Sequence, residues 1–312
     1  MKRSRPPALS AASAVLLACA ALLLPPFAFA QGSPSVAVSI LPQAEFVRRI
    51  AGDAVRVIVL VGPGSSPHSY EPSPRQMAQL SSASAWFTIG VEFETALAPK
   101  VRKLYPRLLL ADTSRNLKFR TLEAHEEEGE GHGEEEGEGH GEEEGEHGEE
   151  ARDPHVWLGK DEVKSQLAVI RDELSKILPS KAGQFASNHD AFVRDIDAAF
   201  AALEPKLAPL RGERVFVYHP SFGYFLDDFG IIQEAVELGG KEPTQKTLAA
   251  LIAKAKEEKA RAVFVQKQFS SNAAKTIAKA IGAAVVEIDP LAERWLDNIS
   301  AIGEALAKAA AR

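Results

Sequence analysis

Short β-branched and apolar runs alternate along this chain with longer stretches in which apolar residues recur every three or four positions. In the first half Val36–Ile40, Val55–Val61, Ala85–Gly90 and Leu108–Ala111 read as strands, and in the second Arg214–Tyr218, Ala262–Val265 and Ala284–Ile288. Strands that alternate with amphipathic helices predict βα units on parallel sheets, and their distribution predicts two α/β lobes. Between the halves, Phe185, Phe192, Ile196, Phe200, Leu203, Leu207 and Leu210 recur at steps of three and four, which predicts one long helix over 181–210. These 30 residues at 1.5 Å each span about 45 Å, enough to run along both lobes as a stiff connector. The expected fold class is therefore α/β. An N-terminal lobe over 31–180 and a C-terminal lobe over 211–312 are joined by the rigid helix, with a cleft between them.

The first thirty residues do not fit this pattern. Lys2, Arg3 and Arg5 precede the apolar run Ala11–Leu24, then Pro25-Pro26 and the small-x-small site Ala28-Phe29-Ala30, which reads as a signal peptide over 1–30 cleaved after Ala30. This run of fourteen residues falls short of the roughly 20 that span a bilayer core. Cys19 is the only cysteine; Leu16-Leu17-Ala18-Cys19 matches a lipid-attachment box poorly, and the apolar run continues past it. A mature, cysteine-free protein exported to the periplasm is expected, with neither a disulfide framework nor a thiolate metal site.

Composition narrows the classes further. With 312 residues, 45% hydrophobic and 25% charged, the chain is neither fibrous nor wholly disordered. Its formal charge of −7 speaks against nucleic-acid binding, which needs clustered Lys and Arg. That negative charge is local, because residues 123–150 hold 15 Glu and no base. Without this insert and the signal, 33 basic residues face 28 acidic ones. The insert is a low-complexity repeat of Glu, Gly and His, and so much like charge with almost no apolar residue predicts a mobile, disordered surface loop. His125, His132, His140 and His147 recur within it among carboxylates, which predicts weak, exchangeable binding of divalent metal.

Of the remaining four histidines, three sit in comparable places. His68 follows the strand Val55–Val61 in a Pro/Gly-rich loop, His155 lies where the insert returns to ordered chain, and His219 directly follows Val215-Phe216-Val217-Tyr218. Asp289 follows the strand Ala284–Ile288. Carboxyl ends of parallel strands face the ligand crevice of an open α/β sheet. Three imidazoles and one carboxylate, two from each lobe, are a plausible set of ligands for a divalent transition metal. His189, between Phe185 and Phe192 on the stripe of the long helix, is assigned to packing or an interface.

Four ordered motifs carry a resemblance over essentially the whole mature chain. They are Pro67-His68-Ser69-Tyr70-Glu71-Pro72-Ser73-Pro74, Asp153-Pro154-His155-Val156-Trp157-Leu158, Tyr218-His219-Pro220-Ser221-Phe222-Gly223-Tyr224-Phe225 and Ile288-Asp289-Pro290-Leu291. The chain resembles the metal-specific solute-binding proteins of ABC transporters, the TroA-like superfamily, and within it the zinc-binding members. The resemblance implies one metal in the cleft, bound by His68, His155 and His219, and its delivery to a membrane permease driven by a cytoplasmic ATPase. Asp289 falls on the family's carboxylate position, and either Asp289 or water completes the set, because Pro67 occupies the place where some zinc members carry an acid. Gln266 stands where relatives often carry Glu. A monomer is expected.

Imidazole suits zinc, whereas manganese sites favour carboxylate oxygen, so Zn2+ is the expected metal and the manganese- or iron-binding branch of the family the alternative. A secreted zinc hydrolase needs an activated water and a base beside it. Glu71 is the sole candidate base, and His-Glu-x-x-His is absent from the sequence, so no enzymatic activity is expected.

Overall fold

Two parallel sheets frame the described part of the molecule. The computed structural model describes residues 33–122, 152–237, 241–269 and 272–311. The signal-peptide assignment to 1–30 and the acidic insert 123–150, with His125, His132, His140 and His147, lie outside the described residues. In the first sheet, β1 (Ser35–Val38), β2 (Arg56–Val59), β3 (Ala85–Thr88) and β4 (Leu109–Asp112) run in the order β2-β1-β3-β4. In the second, β5 (Arg214–Val217), β6 (Ile232–Ala235), β7 (Ala262–Gln266) and β8 (Ala284–Ile288) run β6-β5-β7-β8. Every pairing within these sheets is parallel. The central strands are buried on both faces, as helices covering a parallel sheet require: Val36, Ala37 and Val38 are all inaccessible to solvent.

The helices are α1 (Leu41–Ala51), α2 (Pro74–Ser81), α3 (Glu92–Leu104), α4 (Lys160–Ile177), α5 (Ala182–Leu207), α6 (Gly223–Asp227), α7 (Gln245–Glu257), α8 (Asn272–Ile281) and α9 (Trp295–Ala310). None of the described helices is long and apolar enough to cross a membrane. Strand β6 is the element that the hydrophobic pattern missed. Gln233 and Glu234 interrupt its apolar run, yet both are buried, because Gln233 accepts from the Phe222 amide and Glu234 pairs with Arg214 and Lys254. Satisfied polar groups can enter a core without announcing it in the pattern.

The connector between the sheets is α5, whose 26 residues span about 39 Å. It is shorter than the expected 181–210 because single 3-10 turns, Pro179–Lys181 and Ala208–Leu210, take up its ends. Its stripe Phe185, Phe192, Ile196, Phe200, Leu203 and Leu207 is buried throughout. Phe192 meets Trp295 of α9 edge to face at 6.3 Å, and Trp295 meets Phe46 of α1 at 5.3 Å. Farther along, Phe200 packs on Phe225 and Phe229 beside the second sheet. A continuous apolar core therefore runs through both lobes with α5 as its spine, and a second cluster, with Phe216, Val263, Leu251 and Ile277, joins the second sheet to α7 and α8. Two indoles add directional bonds: Trp295 Nε1 donates to the Trp157 carbonyl at 2.6 Å, and Trp157 Nε1 to the Pro290 carbonyl at 2.8 Å.

Helices α5 and α9 approach so closely that a Cβ on Gly303 would lie 2.5 Å from Leu203 Cδ2, and Leu203 is itself buried. Gly303→Val is expected to destabilise the fold by about 1–3 kcal/mol through overpacking, read as a lower urea midpoint with an unchanged slope.

Candidate metal centre

Each of the three histidines is held by its own local device. Ser66 Oγ caps the short turn Pro67–Ser69 by accepting from the His68 amide at 3.3 Å, which sets the backbone of His68 after β2. In Asp153-Pro154-His155 the Asp153 carboxylate folds back on the chain, and Oδ1 takes the His155 amide at 3.0 Å and its Nδ1 at 2.7 Å. His219 leaves β5, and Gln266 at the end of the neighbouring β7 clamps its backbone. The Gln266 Oε1 accepts from the His219 amide at 3.1 Å, while its Nε2 donates to the His219 carbonyl at 2.6 Å and to Ser221 Oγ at 3.1 Å. Strands β5 and β7 flank the point where the order of the second sheet reverses, the usual place for a ligand crevice.

The three imidazoles converge. His68 Nε2 lies 3.0 Å from His219 Nε2, and His155 Nε2 lies 3.1 Å from the same atom. The opposite ring nitrogens all face carboxylates: His68 Nδ1 to Glu92 at 2.9 Å, His155 Nδ1 to Asp153 at 2.7 Å and His219 Nδ1 to Glu237 at 2.5 Å. Phe269 stacks on His219 at 4.4 Å, and Trp157 lies against His155 at 5.2 Å, giving the cluster apolar walls. His155 and His219 are buried, and His68 is partly open to solvent.

This arrangement fits a divalent metal. A neutral imidazole has one N–H, and a carboxylate can only accept, so each Nδ1 carries the hydrogen and each Nε2 presents a lone pair. Lone pairs about 3 Å apart repel one another unless a cation lies between them. Tetrahedral zinc with Zn–N of about 2.0–2.1 Å would hold its nitrogens about 3.3 Å apart, a few tenths of an ångström more than the spacing here. Burial pushes His219 down to about 4 against the upward pull of Glu237, with His155 and His68 adding to the fall, so this imidazole is neutral at pH 7 and free to bind metal.

The carboxylate beside His155 also anchors the fold. Burial works to raise Asp153, but its bonds to His155 and the nearby Arg120 guanidinium hold the carboxyl below its ordinary value. Arg120 Nη1 bonds Asp153 Oδ2 at 3.0 Å, and its Nε bonds Asp227 of α6 at 2.5 Å. Tyr224 Oη accepts from the Arg120 amide and donates to the Asp153 carbonyl, each at 2.9 Å. Gly223 makes room for the guanidinium, since a Cβ there would lie 1.8 Å from Arg120 Nη1. The neck of the insert, α6 and His155 are thus tied through a single carboxylate.

Among the described residues, the compact group of possible metal ligands comprises His68, His155 and His219. Asp289 lies outside it. Its Oδ1 accepts from the Leu291 amide at 2.9 Å and from Gln268 Nε2 at 3.1 Å, so Asp289-Pro290-Leu291 repeats the turn of Asp153-Pro154-His155 with leucine in place of histidine. His189 stays apart, bonded through Nδ1 to Asp190. Glu71 is exposed. Sequence reasoning missed Glu92 and Glu237 and took Asp153 only as part of a motif. Glu237 had a signal available: it stands two residues beyond β6, as His219 stands two beyond β5, and the register pairs Val217 with Ala235.

Comparison with known proteins agrees with this geometry. Residues 36–309 match the model of the family described as zinc-uptake complex component A, periplasmic. The zinc-binding lipoprotein AdcA of Streptococcus pneumoniae is 30% identical over 278 residues, covering 84% of this chain and 51% of its own length, so the chain spans about half of that relative. The high-affinity zinc uptake system protein ZnuA of Yersinia pestis is 28% identical over 284 residues, 88% of each chain. A crystal structure of ZnuA superposes with a TM-score of 0.78 at 33% identity, covering 89% of this chain and 99% of that one. A match across nearly all of the described body, together with the imidazole cluster at the crevice, places this chain in the family of periplasmic zinc-uptake component A proteins.

Proposed function

We propose that this protein captures zinc in the periplasm and delivers it to an ABC-type uptake transporter, a membrane permease driven by a cytoplasmic ATPase. The observation that carries this reading is the convergence of three Nε2 lone pairs at 3.0–3.1 Å with every Nδ1 bonded to a carboxylate. Carboxylate–histidine pairs of this kind fix the tautomer and raise the basicity of a metal ligand. His68, His155 and His219 are the ligands, and Asp289 or a water completes the set. A cluster made of imidazole nitrogen suits zinc better than manganese or magnesium, which favour oxygen. The relatives are named for the same metal, AdcA as zinc-binding and the Yersinia protein as part of a zinc uptake system.

The protein acts as a carrier and not an enzyme. Hydrolysis needs a base beside a metal-bound water, whereas Glu92, Asp153 and Glu237 are each engaged with an imidazole Nδ1, and Glu71 is exposed. The working form is a monomer of residues 31–312 after removal of the signal peptide 1–30. Its lobes, 31–180 and 211–312, are joined by the connector 181–210. His125, His132, His140 and His147 in the insert supply weak sites that raise local zinc near the cleft.

Calorimetric zinc titration of the mature protein is expected to show one tight site that survives deletion of residues 123–150 and competition by manganese. His219→Ala should weaken that site by at least ~100-fold, beyond what loss of an outer partner brings. Tight binding that disappears with the insert would move the site out of the cleft. Glu237→Gln keeps the size of the side chain but weakens its hold on His219 Nδ1, and zinc affinity should fall about 10- to 100-fold. An unchanged affinity in that variant would remove the carboxylates from the account.

A further inference from the structure

The pocket that contains the three histidines is small, about 10 Å3, room for about one water-sized sphere. Its lining includes a polar residue that no part of the zinc reading uses, Gln268. The orientation of this amide is determined by its neighbour. Gln268 Nε2 donates to Asp289 Oδ1 at 3.1 Å, and an ionised carboxylate only accepts, so the NH2 faces Asp289 and the carbonyl is left over. That carbonyl, Oε1, is buried and has no hydrogen-bond partner among the described residues. A buried acceptor without a donor costs stability, and its persistence beside a metal cluster points to a donor that arrives with the metal.

Zinc held by three imidazoles has one tetrahedral corner left, and a water there carries two strongly polarised hydrogens. Neither His68, His155 nor His219 can accept them, because each Nε2 lone pair is spent on the metal and each Nδ1 hydrogen on a carboxylate. We propose, resting on the zinc-carrier reading above, that Gln268 Oε1 accepts a hydrogen bond from the water that completes the zinc coordination, and that Asp289 is the positioning residue that aims the amide. Asp289 is itself fixed by the Leu291 amide at 2.9 Å, which makes Leu291, Asp289, Gln268 and the water one chain of hydrogen bonds. A neutral amide accepts without adding charge or abstracting a proton. The bound water remains water, an exchangeable ligand suited to cargo that must later be released.

The test uses Gln268→Met, nearly the same shape without the amide, alongside Gln268→Glu, Asp289→Ala and His219→Ala in the mature protein. Three properties are read: zinc affinity by competition with a chromophoric chelator, the visible spectrum of the Co2+-loaded protein, and the melting temperature of the metal-free protein. Gln268→Met is expected to weaken zinc about 10- to 100-fold and shift the Co2+ bands, with the metal-free melting temperature unchanged or higher because an unpaired carbonyl is gone. Gln268→Glu keeps an acceptor but cannot donate to Asp289, so its affinity should fall between the parent and Gln268→Met, as should that of Asp289→Ala. An affinity within twofold of the parent in Gln268→Met, an unchanged Co2+ spectrum, or a greater loss in Asp289→Ala than in Gln268→Met overturns the proposal. His219→Ala separates the two readings, since tight zinc binding in that variant would remove the carrier site itself and not merely its water.

Discussion

Three imidazole nitrogens held close together with converging lone pairs constitute an electrostatic demand for a cation, and the surrounding structure is organised around it. Each ring is prevented from turning its N–H inward by a carboxylate on its far side, and each carboxylate comes from a different element: Glu92 from the start of α3, Asp153 from the turn ahead of α4, and Glu237 from just beyond β6. A single freely rotating histidine would relieve the repulsion by flipping or swinging to solvent. Burial of His155, His219, Asp153 and Glu237 removes that escape. Arg120 holds the outer oxygen of Asp153 and bonds Asp227 as well, which keeps that carboxylate aimed at His155.

Holding groups from both lobes at this separation requires a frame that does not splay. The core along α5 supplies it, with Phe46, Phe192 and Trp295 packed at one level and Phe200, Phe225 and Phe229 at another. Tryptophan bonds carry this rigidity to the site. Trp157, two residues from His155, bonds the Pro290 carbonyl next to Asp289, and Trp295 bonds the Trp157 carbonyl in return. A continuous helix resists hinge bending more than paired extended linkers do, so the proposed capture of zinc depends on a preformed site more than on a wide closure.

Much of the fold was legible because period and punctuation agree. Seven strands and the long helix follow from apolar runs and from steps of three and four, and α5 ends where Pro179 and Pro209 give way to 3-10 turns. Strand β6 was illegible because Gln233 and Glu234 break its pattern, and their partners Phe222, Arg214 and Lys254 come from other elements. Its loss hid Glu237, whose place beside His219 follows only once β6 is paired with β5 in register. The histidines could be found because they are rare outside the insert and fall at comparable ends. Asp289 satisfies the same positional rule, yet its carboxylate is turned toward Leu291 and Gln268, a choice made by hydrogen bonds that no spacing reveals. Gln268 was opaque for a related reason, since a glutamine's role depends on which neighbour fixes its amide.

Zinc K-edge absorption of the mature protein loaded with one equivalent of metal reads the ligands of the proposed site atom by atom. Three imidazole nitrogens and one oxygen at about 2.0–2.1 Å are expected, with the count of imidazoles falling in His219→Ala. A coordination shell dominated by oxygen, or one that His219→Ala leaves unchanged, would contradict that site.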